Sequence, residues 1–154
     1  MNIFLADEQD EPLSVDTLTH LAELVLESEG LDGATEMTLM LVTDDVIAGY
    51  NQQFMERDGP TDVLAFPLEH SSPGNPPQRK LNGPPINLGD VIISPEYVGR
   101  QAAGNGNDAN DELHLMVVHG ILHLLGYDHP DDSTAETMEQ RERDLLTQVG
   151  RIRP

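Results

Sequence analysis

The segment that most limits how this chain can fold reads HGILHLLGYDH and runs from His119 to His129. His119 and His123 are four residues apart in an apolar run, so a helix would place both rings on one face, within reach of a single ion. Gly126 follows where that helix would end, because glycine readily adopts the left-handed conformation of a helix stop. The chain could then turn back and bring His129 to the same ion, which predicts a metal site with three nitrogen ligands.

A site of this kind suits catalysis better than structural support. Three protein nitrogens leave a fourth position open for water, as in catalytic zinc sites, whereas structural zinc sites are closed by four ligands and rich in cysteine. The chain has no cysteine, so disulfides and thiolate ligands are excluded. The alternative is an amphipathic helix that is merely rich in histidine, and it gives no reason for Gly126 and His129.

The spacing H-x3-H-x2-G-x2-H is that of the metzincin zinc peptidases, with one difference. Gly120 stands where those enzymes carry the glutamate that acts as general base. Phosphodiester hydrolysis needs a nucleophile and charge stabilisation, and a metal ion on neutral imidazoles can supply both. Loss of the glutamate is therefore tolerable for a nuclease but damaging for a peptidase, and a zinc metallopeptidase of metzincin type stays open as an alternative.

Hydrophobic periodicity and turn residues predict one domain over residues 1–154. Residues 70–85 are dense in proline, glycine, serine and asparagine, which predicts a flexible loop that is either disordered or a flap near the site. The fold class is α+β, a mixed four-stranded sheet packed with about five helices and carrying a metzincin-like zinc site. The predicted strands are Ile3–Ala6, Glu36–Thr43, Thr61–Leu68 and Leu88–Ser94, and the predicted helices are Leu13–Glu29, Asp44–Met55, Pro95–Ala103, Asp111–Leu125 and a last one after the GYDH turn.

Several side chains carry finer expectations. Pro67 cannot donate to a strand ladder, which predicts an edge position for its strand. His114 precedes His119 by five residues, about 140 degrees of net rotation, so it should point away from the ligand face, as a surface residue or one behind the ligands. Ser133 and Glu136 form a candidate capping box for the last helix. The residues expected to face inward are Val46, Ile47, Tyr50 and Phe54 in the second helix and Met138, Arg141, Leu145 and Val149 in the last.

Charge and targeting signals limit the partners. The formal net charge is −20, and the first of only eight basic residues is Arg57. An acidic surface repels nucleic acid, and a nucleic-acid protein normally shows a basic footprint. The first residues carry no basic flank and no stretch approaches the length of a membrane span, so we expect a cytoplasmic protein with no membrane or DNA partner.

Three segments together resemble one known family. The motif at His119–His129, PTDVLAFP at Pro60–Pro67 and LGDVIIS at Leu88–Ser94 are similar, in the same order, to the YbeY family of metal-dependent endoribonucleases, also called rRNA maturation factors. The resemblance spans nearly the whole chain. It implies an α+β fold and one zinc ion on His119, His123 and His129. It also implies cleavage of single-stranded RNA during maturation of the small-subunit rRNA 3′ end and ribosome quality control.

The chain departs from that family at one place. Many members read N-x-x-Y-R-x-K-D before the PTDVL segment, with an arginine proposed to hold substrate phosphate, whereas this chain reads NQQFMERD. Met55 replaces the arginine, and Arg57 stands where the lysine would be. Arg57 is therefore the nearest substitute for the phosphate contact, or else a solvated cation at a helix end.

Other roles stay open at this stage. We expect Asp128 either to orient a ligand histidine or to cap the turn. We expect Asp62 to be a polar residue at the start of a strand. RNA or rRNA would reach an acidic chain either through a local basic patch or through the small ribosomal subunit or a ribosomal protein. The patch would consist of Arg57, Arg79, Lys80 and Arg100. The remaining alternative is a non-catalytic ribosome-assembly factor whose metal only stabilises the fold.

Overall fold

A computed structural model describes all residues, 1–154, and contains nine regular elements. In chain order they are β1 (Asn2–Glu8), α1 (Val15–Ser28), β2 (Glu36–Val42), α2 (Asp44–Met55), β3 (Val63–Pro67), β4 (Asn87–Ile93), α3 (Pro95–Asn105), α4 (Ala109–Leu124) and α5 (Asp132–Gln148). The α+β class, the four strands and the five helices are confirmed, in the predicted order.

The four strands form one mixed sheet in the order β1-β2-β4-β3. β1 pairs with β2 and β2 with β4 in parallel, while β3 runs antiparallel to β4, with Ala65 opposite Val91. β3 lies at an edge, as Pro67 predicted, so one side of this strand has no neighbouring strand. The edge of β3 therefore lies free to border a cavity.

The main core lies on one face of the sheet, beneath α1 and α4. Helix α4 contacts α1, α3, α5, β3 and β4. Most of its side chains are buried, because the helix is enclosed on nearly all sides and needs no polar stripe. The helix that carries His119 and His123 is therefore the central element of the fold.

The opposite face of the sheet is covered only by α2, over a small cluster of Val42, Ile47, Leu64 and Ile92. Of the side chains predicted to face inward from α2, only Ile47 is buried, whereas Val46 is 41% and Phe54 53% exposed. Asn51 is buried instead, and its side-chain amide donates to the Gly59 carbonyl. The prediction was wrong because a helix that covers part of a sheet face buries a narrower stripe than one inside the core.

The start of α5 also differs from the prediction. The capping box uses Asp131 and Thr134, not Ser133 and Glu136: Asp131 Oδ1 accepts from the Thr134 amide at 2.8 Å, and the Asp131 amide donates to the Thr134 hydroxyl. Aspartate caps a helix as well as serine does, and Asp131 is the earlier candidate after the turn.

None of the five helices combines the length and the apolar character that a membrane span requires.

Candidate metal centre

The three histidines of the sequence motif meet at the C-terminal end of α4. His119 and His123 lie one helical turn apart, with ring centroids 4.5 Å apart and Nε2 atoms 3.0 Å apart. After the helix, Gly126 has a φ of +92°, and the Tyr127 amide donates back to the Leu122 carbonyl. This reversal brings the His129 ring to 5.6 Å from His119 and 5.2 Å from His123, measured between centroids.

The donor atoms fit a single metal ion. One nitrogen from each histidine lies within 4.8 Å of the others, and the cluster contains no fourth histidine, cysteine or carboxylate. Zinc binds imidazole nitrogen at about 2.0 to 2.1 Å, so two ligands of one ion lie roughly 3 to 4 Å apart. The 3.0 Å between His119 and His123 falls in that range. The residues present can hold an ion on three nitrogens and leave one side of it free.

The surroundings of His123 favour the neutral form of its ring, which is the form that binds a metal. Burial, followed by the proximity of His119 and His129, lowers the pKa of His123 below its ordinary value of 6.5. A metal binds the neutral ring, so a lowered pKa keeps the lone pair available at neutral pH.

A buried carboxylate stands behind His119 that the sequence analysis missed. Glu142 on α5 is 1% exposed, and its Oε2 lies 3.4 Å from His119 Nδ1 without a hydrogen-bond partner. A carboxylate on the second nitrogen of a ligand histidine fixes the orientation of the ring and increases its basicity. Glu142 lies between Met138 and Leu145 on the buried face of α5. An acidic residue at an apolar position of the helical pattern is the sequence feature that could have identified it.

Arg141, predicted to face inward in the same stripe, lies beside it. Its side chain is half-buried and donates to Glu29 and to the Ser28 carbonyl at the end of α1. Arg141 therefore ties α5 to α1 and is not part of the metal centre.

We predict that Glu142→Gln lowers zinc affinity by about 10- to 100-fold, because the amide keeps the shape but removes the charge behind His119. Zinc competition against a chelating dye measures this. The matched control is Glu136→Gln, an exposed acid on the same helix, which should keep the affinity of the unmodified protein. Equal affinities for the two variants would contradict the role given to Glu142.

The histidines open onto a cavity of about 580 Å³ bordered by β3, α4 and the segment after α2. Arg57 and Met55 line this cavity, as does Asp62. Asp62 Oδ1 accepts from the Val63 amide at the start of β3, which is a local structural role. Asp128 does not line the cavity, and its Oδ1 accepts from the His129 amide at 2.8 Å, so it holds the turn.

The proposed basic patch does not form. Of its four members only Arg57 lines the cavity, whereas Arg100 pairs with Asp44 at 2.7 Å and Arg79 with Asp32 at 3.3 Å. None of residues 70–85 lines the cavity, but the Ser71 backbone lies against the turn at Gly126, so the loop runs beside the histidine motif. The second cation of the cavity is Arg153, which follows α5.

His114 points away from the metal centre but is not a surface residue. It is 4% exposed, with Nδ1 donating to the Asn110 carbonyl at 2.6 Å and Nε2 without a partner. It lies beside Pro12, Leu13 and Leu113 in a second, small cavity. The surface prediction failed because α4 has neighbours on the side opposite the ligands too.

The buried His114 predicts a pH dependence of stability. Burial lowers the pKa of His114 from its ordinary value of 6.5. The unfolded chain therefore binds the proton first as pH falls, so the unfolding free energy decreases from about pH 6.5 downward. We expect His114→Leu to make the unfolding free energy fall less steeply between about pH 7 and pH 5, measured by urea denaturation. Identical slopes would contradict this prediction.

Gly120, the position of the peptidase glutamate, faces the sheet. A Cβ atom there would lie 2.5 Å from Val91 Cγ1 and 3.3 Å from Val63 Cγ2. Valine is stiff about its first side-chain torsion and cannot easily move aside. Gly120 thus allows α4 to pack closely on β3 and β4, and a glutamate would not fit.

We predict that Gly120→Ala lowers the unfolding free energy by about 1 to 3 kcal/mol through overpacking. The control is Gly99→Ala in α3, where a Cβ meets nothing within 4 Å. That variant should be unchanged or up to about 1 kcal/mol more stable, since alanine is the better helix former. Chemical denaturation measures the unfolding free energy of both variants. If Gly120→Ala is as stable as the unmodified protein, α4 can move away from the sheet at little energetic cost.

Comparisons with known proteins place the chain among relatives that share its sequence and its fold. A family model described as Endoribonuclease YbeY matches residues 5–150. A protein named endoribonuclease YbeY from Salinispora tropica is 40% identical over 92% of this chain and 88% of its own length. One from Thermobifida fusca is 37% identical over 95% of this chain and 92% of its own length. A Thermotoga maritima protein of known solution structure has a TM-score of 0.62 and 27% identity, covering 96% of this chain and 91% of that chain.

Proposed function

The chain belongs to the YbeY family of endoribonucleases, and from this premise we propose that it is a zinc-dependent enzyme that cuts single-stranded RNA. Its proposed role is maturation of the small-subunit rRNA 3′ end and ribosome quality control, in the cytoplasm. The single observation that carries the proposal is the group of three histidines with one side open to a cavity.

In this proposal His119, His123 and His129 hold the ion, which when bound supplies positive charge that polarises a phosphoryl oxygen and acidifies a water molecule. Glu142 orients the His119 ring from behind. Burial lowers the pKa of His123, which favours the neutral ring that a metal binds. The turn at Gly126 fixes His129, and the Asp128 carboxylate supports that turn through the His129 amide.

The cavity suits a strand more than a paired helix. It lies along the free edge of β3 and has a volume of about 580 Å³. A single strand can be unstacked and bent into such a cleft, whereas a duplex presents a stiff, wide rod. The acidic surface limits phosphate contacts to the few cations inside the cavity and favours a basic ribosomal protein as partner.

The peptidase alternative is disfavoured by packing. A glutamate at position 120 would clash with Val91, so the general base of the metzincins has no place on this helix. The assembly-factor alternative makes a different prediction, because a purely structural metal would be needed for folding and not for cleavage.

The test is cleavage of a labelled oligoribonucleotide, single-stranded or annealed to its complement, by the purified protein. The same reactions are repeated after a chelator has removed the metal, and again after zinc has been added back. We expect cleavage of the single strand that chelator removes and zinc restores, and weak or no cleavage of the duplex. No cleavage after zinc loading would overturn the proposal, and hydrolysis of a peptide library by the zinc-loaded protein would favour the peptidase.

A further inference from the structure

The segment after α5 brings an arginine to the metal centre. Arg151 pairs with Asp111 on the far side of α4, at 3.0 Å. Two residues later, Arg153 lies in the cavity of the histidines, and its side chain is 23% exposed. Arg153 also borders a smaller pocket with His119 and His129. It lies outside residues 5–150, which match the family model.

The guanidinium of Arg153 has unused donors. Its Nη1 donates to the Pro154 carbonyl at 3.3 Å, and Nε is buried without a hydrogen-bond partner. Its nearest carboxylate oxygens, of Glu139 and Glu142, are both 3.8 Å away, too far for hydrogen bonds. An arginine carries five N–H donors, and with one bound to Pro154 and the Nε–H buried, three donors on Nη1 and Nη2 remain for a ligand.

Arg153 differs in this respect from the other paired arginines. Arg79, Arg100, Arg141 and Arg151 each contact a carboxylate oxygen at 3.3 Å or less. The guanidinium of Arg153 lies near two carboxylates, those of Glu139 and Glu142, without a hydrogen bond to either. A planar fork of free donors at the wall of a cavity is suited to binding phosphate through two parallel hydrogen bonds.

One buried carboxylate lies between Arg153 and the histidines. Glu142 Oε2 lies 3.4 Å from His119 Nδ1 and 3.8 Å from Arg153 Nε. His119 and Arg153 therefore lie on either side of the same acid of α5. Arg57, the other cation of the cavity, is exposed and has no ion pair.

We propose that Arg153 binds a backbone phosphate of the RNA strand next to the three-histidine site. This inference rests on the proposed function, since it names the residue that anchors the substrate of that same site. A purely structural role, in which Arg153 only pins its segment to α5, is the competing account. The two differ in how RNA binding depends on salt.

The first experiment measures binding of a short single-stranded oligoribonucleotide by fluorescence anisotropy, in chelator so that no cleavage occurs. For Arg153→Gln we expect roughly tenfold weaker binding, as for loss of one charge-assisted contact. The slope of log affinity against log salt should become less steep by about 0.7, the value for one phosphate contact on a single strand. Arg153→Lys should keep most of the slope. Arg151→Gln, two residues away and outside the cavity, should leave both unchanged.

The second experiment uses Glu139→Gln, which removes a carboxylate that competes for the guanidinium. It should strengthen RNA binding, and the gain should vanish in the double variant with Arg153→Gln. Glu136→Gln removes an exposed acid of the same helix outside the cavity, so it controls for the general loss of negative charge. Equal gains in the presence and absence of Arg153 would show that Glu139 acts on RNA directly.

The outcomes separate this inference from the proposed function. If the unmodified protein cleaves RNA and Arg153→Gln keeps its salt slope and KM, Arg153 is structural and only this inference fails. If Arg153→Gln also loses zinc affinity or unfolds, Glu139→Gln decides in its place: RNA binding that gains more than in Glu136→Gln supports the inference, and RNA binding no stronger than in Glu136→Gln overturns it. If the zinc-loaded protein neither binds nor cuts RNA, the proposed function and the inference fail together.

Discussion

Replacing His123 by alanine is expected to abolish RNA cleavage and leave a folded chain. The substitution removes one of the three clustered nitrogen donors, and the cluster has no fourth histidine, cysteine or carboxylate to replace it. The His123 ring is only partly buried, so alanine creates little new cavity in the core. Without a properly held ion the reaction falls back toward its uncatalysed rate, and we expect a loss of at least about 1000-fold in kcat/KM.

The measurement combines zinc content, thermal unfolding and single-strand cleavage on the same preparation. His20→Ala is the control, since His20 is an exposed histidine on α1 far along the chain from the motif. It should keep full activity and full zinc content. An inactive His123→Ala that still unfolds cooperatively indicates a catalytic site, whereas a variant that cannot fold indicates a metal whose role is structural.

The metal motif could be predicted from the sequence because its geometry is almost entirely local. His119 and His123 are one helical turn apart, and a glycine three residues on needs only the backbone freedom that glycine has. Helix and strand types followed from periodicities that each segment carries within itself. These features depend little on the rest of the fold.

Glu142 and Arg153 could not be predicted in the same way, since they reach the site from α5 and the segment after it. Their approach to His119 depends on how α5 packs against α4, which no local pattern encodes. His114 was misplaced for a related reason: a helical wheel shows that it faces away from the ligands but not that other parts of the chain cover that side. Burial is a property of the assembled fold.

The acidity of the chain extends into the cavity of the histidines, which is lined by the carboxylates of Asp58, Asp62 and Glu142. The cavity contains two cations, Arg57 and Arg153, inside a chain of net charge −20. Long-range attraction to RNA is therefore weak, and we expect binding to depend on short-range contacts. An enzyme built this way should act poorly on free RNA at high salt and better on RNA presented by a basic protein.

Gly126→Ala is expected to damage both stability and metal binding. Gly126 has a φ of +92°, and a Cβ there would lie 2.2 Å from the Ser71 carbonyl oxygen and 2.6 Å from its carbon. Both are backbone atoms, so no side-chain rotation relieves the clash. Unfavourable backbone conformation costs about 1 to 2 kcal/mol and overpacking roughly 1 to 3 more, so we expect a loss of about 2 to 5 kcal/mol in unfolding free energy.

Gly150→Ala separates the two causes. Gly150 also has positive φ, +72°, but a Cβ there meets nothing within 4 Å. It should lose only the conformational part, about 1 to 2 kcal/mol. Urea denaturation without metal measures the unfolding free energies, and zinc competition measures the metal affinities. Gly126→Ala should bind zinc more weakly, because the turn at Gly126 positions His129. Gly150→Ala should bind zinc with the affinity of the unmodified protein. Equal losses in both variants would mean that the contact between Ser71 and the turn does not hold His129 in place.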